Sequence, residues 1–192
     1  IVPACGDAVA VQPPDRAVRH LREPAGDRPA KARKGAAQVA RVVGVGPALG
    51  GPARALLDGD DPADHGLAGL TIDTDLRWRI VTALAAAGVI DADGPETPFI
   101  DGEAQRDPTA AGKRNAAAAT AARPQEAVKA AAWQQVIEDD TLANITTRAI
   151  VGGIAQPGQA ALLAPYRDLY FSVIPGVWER RSSEVAQTVV IG

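Results

Sequence analysis

Few side chains in this sequence can hold a metal or attack a carbonyl. There are two histidines, His20 and His65, and one cysteine, Cys5. A zinc site built from His and Cys needs three or four ligands close together in space. Here the three residues are far apart in sequence, and neither histidine has an orienting partner or second ligand at short spacing. Both histidines are read as surface residues. A single cysteine forms no disulfide framework, and Cys5 has no basic or helical context that would activate its thiol. Ser182-Ser183 is expected inside a helix with no histidine nearby, which gives no nucleophilic triad.

Three other stretches fail tests of their own. Gly44-Val45-Gly46-Pro47-Ala48-Leu49-Gly50-Gly51 contains a Gly-x-Gly. A dinucleotide site also needs a strand before it, a helix after it and an acidic residue about 20 positions on. Pro47 spoils the turn, so a glycine-rich linker is expected. Asp58-Gly59-Asp60-Asp61-Pro62-Ala63-Asp64 is acidic enough for calcium. An EF-hand loop starting at Asp58 would need Gly sixth and Glu twelfth; Ala63 and Gly69 stand there. A solvated turn is expected, and the same holds for Asp91-Ala92-Asp93-Gly94.

The densest polar cluster near the end is Arg180-Arg181-Ser182-Ser183-Glu184. Its plain reading is a solvated helix face with an Arg180–Glu184 pair at i,i+4 spacing. Its functional reading makes Arg180, Arg181 and Glu184 the lining of a peptide channel, with arginine binding carboxylates. The net charge of −3 argues against nucleic acid as an obligate partner. No apolar run approaches the roughly 20 residues of a membrane span.

Helices must position whatever these residues do. Forty alanines stand against an aromatic share of 4%, and no period-2 strand pattern appears. Asp75 to Gly88 predicts a helix with Leu76, Ile80, Leu84 and Ala87 on its stripe. Short helices are expected at Ile100–Arg106 and Thr109–Arg123. The next begins at Pro124 and runs to Ile137, with Val128, Ala132 and Val136 inward and Trp133 beside them. Asp140 or Thr141 should cap a helix with stripe Leu142, Ile145, Ala149 and Ile150, its end weakened by Gly152-Gly153. Pro157-Gly158 predicts a turn, Gln159–Leu163 a helical piece, and Pro165 a restart through Tyr166, Leu169, Tyr170 and Val173. Pro175-Gly176 predicts another turn. Val177–Ile191 should be one last helix with Trp178, Val185 and Val189 inward. Short helices joined by tight turns predict an all-α fold, a right-handed solenoid of antiparallel pairs resembling HEAT repeats.

Residues 1–53 read differently. They hold 8 Lys+Arg against 4 Asp+Glu, 7 of the 15 prolines and no aromatic residue. Only Ala36–Val43 could form a short helix. A loosely ordered basic segment is expected before the helical-repeat domain of residues 54–192. The alternative is that this stretch is not in its gene's native frame. The chain begins at Ile1 and has no methionine, so a fragment or processed chain is expected.

One ordered series of residues resembles a known family. It runs Asp73-Thr74-Asp75-Leu76-Arg77-Trp78, Asp107-Pro108-Thr109-Ala110-Ala111-Gly112, Ala121-Ala122-Arg123-Pro124 and Lys129-Ala130-Ala131-Ala132-Trp133. It continues with Leu163-Ala164-Pro165-Tyr166, Tyr170-Phe171 and Trp178-Glu179-Arg180-Arg181-Ser182-Ser183-Glu184. Together, over about residues 54–192, these resemble the C-terminal helical domain of aminopeptidase N-type zinc metallopeptidases in their actinobacterial form.

The resemblance implies a cytoplasmic parent enzyme that removes single residues from peptide N-termini. Its zinc would be held by a His-Glu-x-x-His helix and a more distant Glu. Neither that motif nor the family's Gly-x-Met-Glu-Asn is present here. The resemblance therefore implies a cap without catalytic, cofactor or metal residues. The cap would pack on the catalytic and N-terminal domains, exclude water and select peptide substrates. The other reading is a free-standing helical scaffold that binds a partner protein.

Overall fold

The computed structural model describes residues 50–191. They form α1 (Gly50–Asp58), a 3-10 turn (Pro62–His65), α2 (Thr74–Ala86), α3 (Pro98–Arg106) and α4 (Ala110–Ala122). Then come α5 (Glu126–Glu138), α6 (Asn144–Ile154), α7 (Ala160–Leu163), α8 (Tyr166–Arg180) and α9 (Ser183–Ile191). No strand occurs among the described residues, so the all-α expectation holds. Cys5, His20 and the Ala36–Val43 helix lie outside the described residues.

Local chemistry sets most boundaries. Asp73, two residues before the expected Asp75, caps α2 by accepting from the Leu76 amide at 2.8 Å. Thr109 caps α4 through the Gly112 amide. Gly88 and Gly158 take left-handed backbone where α2 ends and where the Pro157-Gly158 turn was expected. α3 has a remote cap: the Asp91 carboxylate accepts from the Phe99 and Ile100 amides, both at 3.0 Å. Asp91 is therefore a structural acceptor and not a solvated turn residue.

Helices pack along a row in which α2 lies on α4, α4 on α6 and α6 on α9. α3 and α5 flank α4, and α8 packs on α9. The core has two parts. Leu56, Trp78, Ile80, Val81 and Ile100 belong to the first, and Val136, Ile137, Ile150, Val177 and Val189 to the second. α4 serves both, through Ala119 and Ala121 respectively. An alanine helix lets neighbours approach on several sides because it offers little more than backbone and methyl groups.

Several expectations are overturned. α5 begins at Glu126, with Gln125 rather than Pro124 at its start. α6 starts at Asn144 with no side-chain cap, and its inward residues are Thr147, Ile150 and Gly153 while Ile145 is exposed. Ala87 is likewise exposed. Pro175-Gly176 is no turn; both sit inside α8. Proline already has a helical φ and loses one backbone bond, and here it lies on the exposed side, opposite buried Val177. The predicted last helix is two helices, because the chain extends at Arg181 (ψ 159°). Trp178 consequently faces outward.

Gly152-Gly153 does not end α6, which runs through both glycines to Ile154. A Cβ on Gly153 would stand 2.3 Å from the Ala118 carbonyl oxygen and 2.9 Å from the Ala121 methyl. The glycine is what lets α6 lie against α4. Gly153→Ala should therefore lower unfolding free energy by about 1–3 kcal/mol. Gly152, with open space at its Cβ, should gain about 0.5–1 kcal/mol from the same change. Urea unfolding of the two variants tests this; equal effects of one sign would refute the close-approach account.

Candidate functional site

Arg180, Arg181 and Glu184 do not form one cluster. Arg181 is buried, and its guanidinium donates to the Asp139 and Leu142 carbonyls in the α5–α6 loop. Those bonds hold the chain extended between α8 and α9. Arg180 is half exposed, donates to the Ile137 carbonyl and lies 3.7 Å from Asp140. Asp140 therefore replaces Glu184 as its partner, since the helix breaks between Arg180 and Glu184. Glu184 is exposed in the first turn of α9 and makes no ion pair among the described residues. Ser182 accepts weakly from the Val185 amide, at a helix break and not within a helix.

His65 lies 3.1 Å from Asp60, on the acidic turn. In that turn Asp61 caps the 3-10 helix through the Ala63 amide. No group of three or more His, Cys, Asp or Glu among the described residues could hold a metal ion. No described helix is long and apolar enough to cross a membrane.

Chemistry-bearing side chains gather elsewhere, around the end of α4. Lys129 on α5 is fully buried, with its ammonium donating to the Ala121 carbonyl at 2.7 Å and the Ile154 carbonyl at 3.2 Å. These are the last turns of α4 and α6, where backbone carbonyls lack helical partners. Gln159 donates to Ala86 and Ala122, both at 2.9 Å, closing the ends of α2 and α4. Its Oε1 remains buried without a donor. Arg123, 1% exposed, donates to the carbonyls of Asp91, Gly94 and Pro95 and so holds the α2–α3 loop. Sequence reading missed all three as interior residues. One signal was available: Lys129 stands three and four positions before Ala132 and Trp133, on the inward stripe.

A second network joins α1, α2 and α3. Arg77 makes two 2.7 Å bonds to the Glu103 carboxylate and one of 3.0 Å to the Leu57 carbonyl. The Glu103 bond, outweighing the opposing effect of burial, raises the guanidinium's pKa further. Trp78 donates to Asp107 at 2.9 Å, and Asp107 also accepts from the Thr109 hydroxyl. The Thr109 bond first and the Trp78 bond second hold the Asp107 carboxyl below its ordinary pKa. A Cβ on Gly112 would sit 2.0 Å from the Asp107 carbonyl oxygen, so only glycine allows this fold-back.

These networks are made largely of the residues that carry the resemblance: Asp73, Arg77, Trp78, Asp107, Gly112, Arg123, Lys129 and Arg181. The sequence matches the ERAP1-like C-terminal domain family over residues 33–192. The chain belongs to this family. It is similar to aminopeptidase N of Streptomyces lividans, 46% identical over 138 residues. That alignment covers 72% of this chain and 15% of the relative's length. The resemblance to the C-terminal domain of aminopeptidase N is thereby borne out.

The open space in this C-terminal domain includes an apolar cavity of about 320 Å³ between α5, α6 and α8, with Lys129 in its wall. A wider groove of about 890 Å³ runs between α4 and α5, past Arg123. Neither contains a nucleophile–base pair.

Burial lowers the Lys129 pKa to about 8. An unfolded lysine keeps its proton to about 10.4. Between these values the unfolded chain binds more protons, so stability rises with pH. The cost of burying the charge is fully present below pH 8 and gone above the unfolded pKa. We expect unfolding free energy to climb between these two pH values by on the order of 3 kcal/mol. Lys129→Met should flatten the climb; an unchanged slope in that variant would remove Lys129 as its source. In a separate test, Glu103→Gln should cost about 3 kcal/mol by stranding Arg77, measured by thermal or urea unfolding.

Proposed function

We propose that this domain is the C-terminal helical cap of a zinc-dependent aminopeptidase acting in the cytoplasm, and that the bond-breaking chemistry lies outside these residues. The observation that carries this is the 46% identity to aminopeptidase N over 138 residues. The cap would pack on the catalytic and N-terminal domains of a longer chain and shape the space in which peptides bind. Its contribution is then exclusion of water and choice of substrate, rather than attack on the peptide bond.

Among the described residues the donor set does not fit zinc. His65 is held by Asp60, and the nearby acidic residues serve a turn and its cap. The metal therefore belongs, on this reading, to another part of the enzyme. The packing of α2 on α4, α4 on α6 and α6 on α9 supports a solenoid of helix pairs. Arg180, and Glu184 on the following helix, are the exposed members of the proposed peptide-channel lining; Arg181 would act by bracing the loop beneath Arg180.

A free-standing scaffold is the second reading. Exposed Phe171 and Trp178 on α8 are the kind of apolar surface a partner would cover. They serve equally as a face for the other domains of an aminopeptidase, and the family match over these helices favours that use.

The test has two arms. The pure chain, supplied with zinc, should release no product from leucine p-nitroanilide. The longer enzyme, with Arg180 and Glu184 changed to alanine, should keep its turnover of that small substrate and lose several-fold in kcat/KM on peptides. Chelator-sensitive hydrolysis by the isolated chain would overturn the reading of a cap without its own catalytic centre. Unchanged peptide kinetics would overturn the channel lining.

A further inference from the structure

Three Asp-Gly dipeptides occur in the sequence: Asp58-Gly59, Asp93-Gly94 and Asp101-Gly102. At such a pair the glycine amide nitrogen can attack the preceding side-chain carboxyl, because no Cβ shields it. All three glycines have open space at the Cβ position, so crowding does not distinguish them. Hydrogen bonding does.

The Gly59 amide donates to the Ala55 carbonyl at 3.1 Å, and Asp58 lies 3.9 Å from Arg54 on the same helix. Gly102 sits inside α3, where its amide belongs to the helical ladder. Its neighbour Asp101 accepts from the Thr97 hydroxyl at 3.2 Å. The Asp93–Gly94 peptide is different. Neither its carbonyl nor its amide makes a hydrogen bond among the described residues. The Asp93 carboxylate has no ion pair there either. Both residues are exposed, at the rim of the groove between α4 and α5. The flanking peptides are held: Arg123 takes the Asp91, Gly94 and Pro95 carbonyls, and Gln125 takes that of Ala92. One peptide plane is left free to turn between fixed neighbours.

We propose that Asp93 is a site of spontaneous isoaspartate formation, and so a substrate for a repair methyltransferase that carries S-adenosylmethionine. The Gly94 nitrogen attacks Cγ of the protonated Asp93 carboxyl. An N–Cγ bond forms, the amide proton joins the side-chain hydroxyl, and water leaves, giving a five-membered succinimide. Water then adds to one of the two ring carbonyls. Opening at the main-chain carbonyl breaks its bond to nitrogen and leaves the chain running through Cγ, with a free carboxylate on Cα. One water is lost and one is regained, and no oxidant takes part. The main chain gains a methylene between the carbonyls of Asp91 and Gly94, both of which Arg123 holds. Arg123 is 1% exposed, so water does not replace an acceptor lost there. The same loop carries Asp91, the remote cap of α3. Isomerisation at position 93 therefore loosens this loop and the start of α3. The inference does not depend on the aminopeptidase reading.

The test is to age the 192-residue chain for weeks at mildly acidic pH and body temperature, native or in concentrated urea. Isoaspartate is read by peptide mapping and by methyl transfer from labelled S-adenosylmethionine with an isoaspartyl methyltransferase. In the native chain position 93 should convert at least about fivefold faster than positions 58 and 101, whose glycine amides must first give up a hydrogen bond. In urea the three should convert at comparable rates. Asp93→Ala should remove most methyl acceptance by the native chain. The isomerised fraction, separated by chromatography, should unfold at lower urea than the rest. Equal conversion of the three sites in the native chain, or fastest conversion at 58 or 101, overturns the proposal. A preference for 93 that persists in urea overturns the role of the free peptide plane. Unchanged unfolding of the isomerised fraction overturns the coupling to Arg123 and α3.

Discussion

The end of α4 is buried, and much of the structure follows from the need to satisfy it. This helix is nearly all alanine on its inward sides, so α2, α3, α5 and α6 can crowd its backbone. Crowding removes water from its last carbonyls. An unsatisfied buried carbonyl costs on the order of 1–3 kcal/mol, and an alanine helix has no side chain to cover its own terminus. Its neighbours supply the donors. Lys129 reaches Ala121 from α5, and Gln159 reaches Ala122 from the segment before α7. Each also closes a second helix end, at Ile154 and Ala86 respectively. Two side chains thus seal the C-termini of three helices in the packed row.

The same device recurs where loops must be held. Arg123 crosses to the α2–α3 loop, Arg181 to the α5–α6 loop, and Arg77 to the Leu57 carbonyl near the end of α1. In each case a long cationic side chain satisfies backbone oxygens from a different element. Glu103 adds a bidentate carboxylate to one of these networks. Breaking such a pair is far more costly than its net contribution suggests, because the remaining charge stays buried. Arginine suits the role because its planar fork spans several acceptors at once.

This architecture gives shape rather than reactive groups. Among the described residues, the buried polar side chains are engaged mostly with backbone oxygens, caps and the ion pairs Arg77–Glu103 and Arg181–Asp140. Ser182 and Ser183 lie at a helix break, Ser172 donates to the Leu169 carbonyl within α8, and His65 ends a 3-10 turn. In the proposed cap role, such a domain would contribute to catalysis through walls and access. The apolar cavity between α5, α6 and α8 fits that description, since it offers an apolar wall without a nucleophile–base pair. The outward rings of Phe171 and Trp178 on α8 extend the apolar character to the surface.

The sequence alone determined the fold class, most helix positions and the family. Alanine content, caps such as Thr109 and turns such as Pro157-Gly158 act locally, and local effects are legible along a chain. Absent zinc and triad motifs were equally legible, because those chemistries need particular residue types at particular spacings. Tertiary structure alone decided what the buried polar residues do. The role of Lys129 shows only once the ends of α4 and α6 are placed beside it. Gly153 reads as a helix breaker until Ala118 stands against it, and Arg180-Arg181 reads as a helix face until Arg181 finds the carbonyls of a loop some 40 positions away. Pro175 reads as a turn, but the packing of α8 around it outweighs one missing backbone bond. Burial and long-range hydrogen bonding depend on which segments meet, and no local pattern carries that information.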